Sequence, residues 1–449
     1  MVHCYKLGGL NIVIDSGSGS IHAVDDVAYD IISAYGTVDM AAIAKKYAPD
    51  VTPEDIREVI ADIEELKRAD KLFAPDAYET LPQPAVGGQL KALCLHVSHT
   101  CNMTCKYCFA SQGRYNGERA LMPLSVGKQA IDFLIASSGT RRNLEVDFFG
   151  GEPLMNWDVV KDIVRYAREI EGAHNKNFRF TLTTNGLLID DEVIEFANRE
   201  MHNVVLSLDG RRDVHDSVRK VAGGGGSYDE VVPLFKKFVE ARNGRGYYMR
   251  GTYTRNNTDF TQDILHMADL GFSELSMEPV VAKPGDDCAL TDDDLPVLFR
   301  QYEILAEEMI KRKKEGRGFT FYHYMIDLTG GPCIYKRVAG CGSGSEYLAV
   351  TPQGELFPCH QFVGDAAFNM GDIWQGVTKP ELCDEFAACN IYSRNECRDC
   401  WARLYCSGGC AANSYNATGS ITGVYKYGCE LFKKRLECAI MIKVAEAVE

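Results

Sequence analysis

Seventeen cysteines in a chain of 449 residues set the terms for what this sequence can fold into. More than half of them fall after residue 330, where helix and strand periodicity gives way to Gly, Cys and aromatic residues. A segment with so little regular apolar pattern is held by something other than a large core, and its thiols are the available ligands. The opening residues carry no basic stretch followed by an apolar run and a small-residue cleavage site, and no later run reaches membrane-spanning length. A cytoplasmic location, off the membrane, is expected. Thiols stay reduced there, so metal or redox roles are more natural for them than disulfides. The net charge of −15, from 48 Lys and Arg against 63 Asp and Glu, repels a phosphate backbone and argues against nucleic acid as a partner.

The pattern divides the chain. Residues 1–80 open with alternating segments at 3–7, 11–15 and 20–24, broken by Gly8, Gly9, Gly17 and Gly19, and continue with helical periods at 26–35, 38–47 and 53–68. Thr52 reads as the N-cap of the last helix, with Pro53 at its first position. Strands followed by three helices are winged-helix-like. A linker is expected at 81–90, which holds Pro82, Pro84, Gly87 and Gly88. From 91 to 317, apolar strands at 93–98, 144–149, 179–184, 204–209, 247–253 and 274–279 alternate with amphipathic stretches such as 125–137 and 157–171. That alternation marks an α/β architecture, a partial (β/α)6 barrel whose ligands sit at the C-terminal strand ends. Residues 318–449 are expected to form a loop-rich domain.

Cys101, Cys105 and Cys108, spaced C-x3-C-x2-C, directly follow the first barrel strand. Three thiolates so spaced can hold three irons of a [4Fe–4S] cluster and leave the fourth open; a zinc site completed by His96 or His99 is the plainer alternative. In spacing and position the motif resembles that of the radical S-adenosylmethionine (SAM) enzymes. The resemblance implies that the open iron chelates the amino and carboxylate groups of SAM and that Tyr107 lies against the adenine. Gly150, Gly151, Glu152 and Pro153 end the second strand, where two glycines let backbone approach a ligand and Glu152 can accept from an ammonium. Radical SAM enzymes use such a GGEP segment for the methionine amine. Thr184 and Asn185 end the third strand and Ser207 and Asp209 the fourth, polar groups on the face expected for the ribose. Arg219 is expected to pair with the SAM carboxylate. Ordinary turns and N-caps would also account for each of these residues taken singly.

Cys341, Cys359, Cys397, Cys400, Cys406, Cys410 and Cys429 resemble the seven-cysteine SPASM pattern. By that resemblance Cys397, Cys400, Cys406 and Cys429 ligate an outer auxiliary [4Fe–4S] cluster and Cys341, Cys359 and Cys410 an inner one, making three clusters in all. Seven thiolates leave one inner iron without a ligand. Either Cys333 supplies it, or the iron stays open for a substrate thiolate. A zinc ribbon over Cys397–Cys410 would leave Cys341, Cys359 and Cys429 unexplained. Cys4, Cys94, Cys288, Cys383, Cys389 and Cys438 read as ordinary thiols.

The implied chemistry is reductive cleavage of SAM to a 5′-deoxyadenosyl radical that abstracts hydrogen, with an electron donor such as a ferredoxin or flavodoxin. Residues 1–80 carry 7 Lys and Arg against 15 Asp and Glu, which argues against a DNA reader. They resemble the RiPP recognition element, in which a leader peptide adds as a strand to an exposed sheet edge. The order of the three domains resembles the maturases that install thioether (sactionine or ranthionine) crosslinks in cysteine-rich precursor peptides. The likeness is closest to the SCIFF maturases, through the run Cys359, His360, Gln361. An anaerobic sulfatase maturase, which makes formylglycine, is the alternative enzyme. That family has an Asp base immediately after the second SPASM cysteine, where this chain has His360, a candidate base or hydrogen-bond donor. A noncatalytic iron–sulfur electron-transfer protein is the remaining reading, and it predicts no SAM cleavage.

Overall fold

Gly8 and Gly9 take φ of 61° and 76°, the twist a two-residue hairpin needs, and turn β1 (Val2–Leu7) back onto β2 (Leu10–Asp15). With β3 (Ile21–Val24) they form an antiparallel sheet in the order β1-β2-β3. The computed structural model describes residues 1–79, 89–282, 285–328 and 334–448; Cys333 and all but the last two residues of the expected linker lie outside them. Helices Asp26–Ser33, Met40–Tyr47 and Pro53–Arg68 follow the sheet. The second starts later than its apolar period predicts because the Asp39 carboxylate caps the N–H groups of Ala41 and Ala42 at 3.0 and 3.1 Å. Thr52 and Asp55 close a capping box ahead of Pro53. Strand alternation gives the sheet two apolar faces. Val13 packs with Ile31, Ile56 and Ile63 of the helices, whereas Tyr5, Ile12 and Ile14 join the main core.

Six parallel strands in chain order form that core: β4 (Ala92–Ser98), β5 (Asn143–Gly150), β6 (Asn177–Thr184), β7 (Met201–Ser207), β8 (Tyr247–Tyr253) and β9 (Glu274–Pro279). Helices such as Leu124–Ser137 and Trp157–Glu171 cross between them. β7 stops at Ser207, so Asp209 lies beyond the strand.

The region expected to be loop-rich contributes more regular structure than its sequence predicts. β10 (Thr320–Phe321) pairs parallel with β9, and β11 (Tyr347–Val350) pairs parallel with β4, setting Leu348 opposite Leu93. β12 (Glu355–Phe357), β13 (Gly371–Asp372) and β14 (Gly376–Val377) extend the same sheet antiparallel to eleven strands. The segment ends in a 23-residue helix, Lys426–Val448. Five consecutive residues of it, Cys438 to Ile442, are buried, because the helix is wedged between helix Leu295–Lys314 and the N-terminal sheet. Burial around the helix removes the polar face by which an amphipathic period would be recognised. Its Glu437 carbonyl accepts from the Tyr5 hydroxyl at 2.9 Å, and beside it the His3 ring stacks on Trp401 at 4.0 Å. Among the described residues no helix is long and apolar enough to cross a membrane.

Candidate active site

The C-terminal ends of the barrel strands open into a cavity of about 610 Å³. Cys101, Cys105 and Cys108, on the loop after β4, all line it. Two neighbours fix this loop. On one side a Cβ on Gly150 would lie 2.3 Å from the Ser98 carbonyl oxygen, and one on Gly151 2.1 Å from that of Thr100. The close approach that makes these positions glycine is therefore to the backbone leading into Cys101, and the N–H groups of Gly151 and Glu152 donate to those same oxygens at 2.7 and 2.9 Å. On the other side Thr104 and Lys106 donate to the carbonyls of Lys220 and Val218 at 2.8 and 3.0 Å.

The three thiols share the cavity wall, although among the described residues no group of three or more His, Cys, Asp or Glu is gathered closely enough to hold a single metal ion. Cys101 accepts from the Met103 N–H at 3.4 Å and from the Asn185 carboxamide at 3.7 Å. Burial, with the Glu152 charge adding to it, pushes the Cys101 thiol up to about 12. Burial likewise raises Cys105 to about 11 against the opposing pull of Arg219. Such thiols become thiolates when a cation takes the proton's place. His96 and His99, the alternative zinc ligands, are not in the cavity lining; His96 Nδ1 sits 3.1 Å from His99 Nε2, and both rings pack on Tyr115.

Glu152 lines the cavity yet is only 1% exposed. It accepts from Leu154 N–H at 3.0 Å, Thr184 Oγ1 at 2.8 Å and Asn185 N–H at 2.8 Å. Burial raises its carboxyl to about 7, with these three bonds pulling the other way. A carboxylate has about four lone-pair sites, so one remains for a cationic ligand. Pro153, Ser207 and Arg219 are also in the lining. Thr184 and Asn185 line the cavity too, but Thr184 uses its hydroxyl on Glu152, and Asn185 donates to Asn102 at 2.8 Å as well as to Cys101.

Asp209 departs from expectation. It is wholly buried and is not in the lining. One oxygen accepts from Thr252 N–H at 2.9 Å, and the other from the Tyr107 hydroxyl at 2.6 Å and Arg219 Nε at 2.9 Å. Asp209 thus holds Tyr107 and Arg219, which face the cavity with the guanidinium 5.5 Å from the Tyr107 ring centre.

The far wall comes from the C-terminal region, through Cys406, Cys410, Cys429 and His360. Cys359 lies within electrostatic range of Cys341 and Cys410, and Cys406 within range of Cys397, Cys400 and Cys429. Burial chiefly raises Cys359 and Cys406 to about 12 and Cys397 to about 11. His360 stands between the rings of Phe149 and Phe109, at 5.2 and 5.6 Å, and burial lowers it to about 4 with Arg250 adding to the effect. Its ring is neutral at ordinary pH.

Sequence reasoning missed Arg250, Glu278 and Arg435, charged residues that also line the cavity. Glu278 lies 3.4 Å from His323 Nε2 and 3.5 Å from Arg435 Nη1. Burial works to raise its carboxyl, but the charges of His323, Arg435 and Arg250 outweigh that and hold it low. Glu278 occupies the end of the sixth barrel strand, a position that was itself a signal, whereas Arg250 lies in the middle of the fifth, where none was given.

The donor set fits a cluster and an amino-acid ligand: three thiols, a carboxylate with spare accepting capacity and a guanidinium face one cavity. Residues 95–267 match the family model described as the Radical SAM superfamily. The radical SAM cyclopropyl synthase TigE of Paramaledivibacter caminithermalis is 23% identical, over 77% of this chain and 73% of its own. A cysteine-type anaerobic sulfatase-maturating enzyme of Clostridium perfringens is 23% identical, over 80% of this chain and 99% of its own. The structure of native anSMEcpe with bound AdoMet superposes with a TM-score of 0.67 at 21% identity, covering 80% of this chain and 100% of that one, which establishes the shared fold. Residues 95–267 therefore match a radical SAM domain, with homology to TigE and the sulfatase-maturating enzyme, and such a domain implies SAM and a [4Fe–4S] cluster.

Proposed function

We propose that this protein is a radical SAM maturase that forms a thioether within a cysteine-rich precursor peptide. The observation that carries the reading is one cavity lined by two sets of thiols, Cys101, Cys105 and Cys108 on the barrel side and Cys406, Cys410 and Cys429 opposite. A reduced [4Fe–4S] cluster with SAM on its open iron supplies, when bound, a 5′-deoxyadenosyl radical able to take hydrogen from an unactivated C–H bond. Cys101, Cys105 and Cys108 are the ligands of that cluster in this reading. Glu152 accepts from the methionine ammonium, Arg219 faces the carboxylate, and Tyr107 borders the adenine. Cys397, Cys400, Cys406 and Cys429 hold an outer auxiliary cluster, and Cys341, Cys359 and Cys410 an inner one. Cys333 or a substrate cysteine completes the inner set, and in the second case an inner cluster held by Cys341, Cys359 and Cys410 would lower the pKa of the substrate thiol. In this reading the neutral His360 ring takes the thiol proton, and the electron released when the carbon–sulfur bond forms would leave through an auxiliary cluster.

The peptide's leader docks on the N-terminal domain by strand addition. One face of its sheet is covered by helices and the other by the main core, so strand edges remain for pairing, and β3 pairs only with β2 among the described residues. The domain's acidic balance suits a basic leader.

Formylglycine formation is the second reading, favoured by a sulfatase-maturating relative that this chain spans almost completely. Anaerobic incubation of enzyme, SAM, reductant and a candidate cysteine-rich precursor peptide separates the two by mass spectrometry. Loss of two hydrogens per crosslink is expected, and a side-chain aldehyde would favour the alternative. Cys105→Ala is expected to abolish deoxyadenosine; full SAM cleavage by that variant would sink the whole reading.

A further inference from the structure

Arg394 is 3% exposed, yet two of its three guanidinium nitrogens, Nε and Nη1, have no hydrogen-bond partner. Only Nη2 is engaged, donating to the Ile421 carbonyl at 2.7 Å and to Cys389 Sγ at 3.1 Å. Among the described residues no carboxylate forms an ion pair with it. A guanidinium taken out of water without a counter-charge and with donors unmet is costly, and buried charges are ordinarily paired. An anion beside Arg394 Nε and Nη1 would meet both needs.

Its position says what that is. Nη1 lies against the turn that joins Cys406 to Cys410: a Cβ on Gly408 would be 3.3 Å from it and one on Gly409 4.0 Å. Both glycines line the cavity with positive φ, 82° and 79°, and expose backbone rather than side chain toward the arginine. Arg394 itself precedes the short helix Asn395–Arg398 that carries Cys397, whose N–H donates to the Arg394 carbonyl at 3.0 Å. Its charge also acts on Cys397, Cys429 and Cys410.

We propose that Arg394 is a positioning residue for the auxiliary cluster of Cys397, Cys400, Cys406 and Cys429, donating to its sulfurs through Nε and Nη1 and raising its reduction potential. The inference rests on the reading that these four thiolates hold a cluster. Four thiolates make such a centre anionic, and one-electron reduction adds a further negative charge. A fixed buried cation stabilises the reduced form more than the oxidised one, and hydrogen bonds to sulfur act in the same direction.

The test uses the full-length enzyme, anaerobically reconstituted, as wild type, Arg394→Met, Arg394→Lys and Cys397→Ala. The readouts are iron and sulfide content and redox titration followed by electron paramagnetic resonance, with the signal lost in Cys397→Ala marking the outer cluster. Arg394→Met is expected to shift the midpoint of that signal negative while the SAM-responsive signal keeps its potential, and Arg394→Lys to fall nearer wild type. A fully loaded Arg394→Met protein with an unmoved midpoint overturns the proposal. Should Arg394→Met lose the cluster outright, recovery of iron in Arg394→Lys supports it and an equally depleted Arg394→Lys protein refutes it. Wild-type protein that loads iron only at Cys101, Cys105 and Cys108 would instead defeat the cluster reading, and this inference with it.

Discussion

Arg403 reaches from between Cys400 and Cys406 to Asp76, Nη2 to Oδ2 at 2.7 Å, so the segment after the N-terminal helices is tied directly to the outer cysteine set. The pair is largely buried, 5% and 16% exposed, and Tyr392 adds a hydroxyl to Asp76 at 3.0 Å. Asp76→Ala leaves the guanidinium buried with Nε already unpartnered. A loss of about 3 kcal/mol is expected, near the low end for breaking a buried pair because Asp76 keeps some exposure. Urea unfolding measures it, and iron at the outer set should fall in parallel. Burial acts to raise the Asp76 carboxyl, but the Tyr78 N–H, Tyr392 and Arg403 outweigh it and hold it below the ordinary range. A depressed carboxyl contributes stability above the unfolded value of about 4 and loses it as pH falls below that. The acid arm of the stability profile should therefore shrink in Asp76→Asn.

Glu152 must be ionised to accept from an ammonium, and burial sets its carboxyl at about 7 in the ligand-free protein. SAM affinity is expected to be full above that pH and to weaken below it by about tenfold per pH unit. Glu152→Gln should bind more weakly and lose the pH dependence. Anaerobic equilibrium dialysis across neutral pH checks both, and a wild-type affinity indifferent to pH would remove Glu152 from the ammonium.

Gly151→Ala sets a Cβ 2.1 Å from the Thr100 carbonyl oxygen, a backbone atom with little freedom to yield. A destabilisation on the order of 3 kcal/mol is expected. Iron at Cys101, Cys105 and Cys108 should be lost first, with iron at the C-terminal cysteines retained. Thermal unfolding and iron analysis together distinguish this from global failure to fold.

His360 has its pKa lowered to about 4, so it is already in the proton-accepting form at neutral pH. His360→Phe should keep deoxyadenosine formation while crosslink formation falls by about 10²–10⁴-fold. Between pH 6 and 8 the wild-type rate should show no inflection from this ring. Equal loss of both products in the variant would reassign His360 to a packing role.

Much of the site is legible in the sequence because cysteine spacing and strand-end motifs are local. Cys101, Cys105 and Cys108 directly follow an apolar strand, and the GGEP residues end the next, so both reach the cavity as the alternating pattern requires. Asp209 looks equivalent to Ser207 at a strand end, but the strand stops early, and partners distant in sequence, Tyr107 and Thr252, turn it inward. β11 is too short to carry a period and is defined by its partners β4 and β12. Arg435 stayed hidden for another reason: its helix is buried around so much of its circumference that no polar face betrays it. The glycines of the GGEP segment were legible as a close approach; that the approaching group is the chain itself depends on the tertiary fold.

The packing of helix Lys426–Val448 on Tyr5, Ile12 and Ile14 joins residues some four hundred positions apart. During translation at about 5–20 residues per second, that apolar face of the first domain waits roughly 20–80 s for its cover to be synthesised. The nascent chain must shield it in the interval, so expression at lower temperature or with extra chaperone capacity should raise the yield of folded protein more than added iron does.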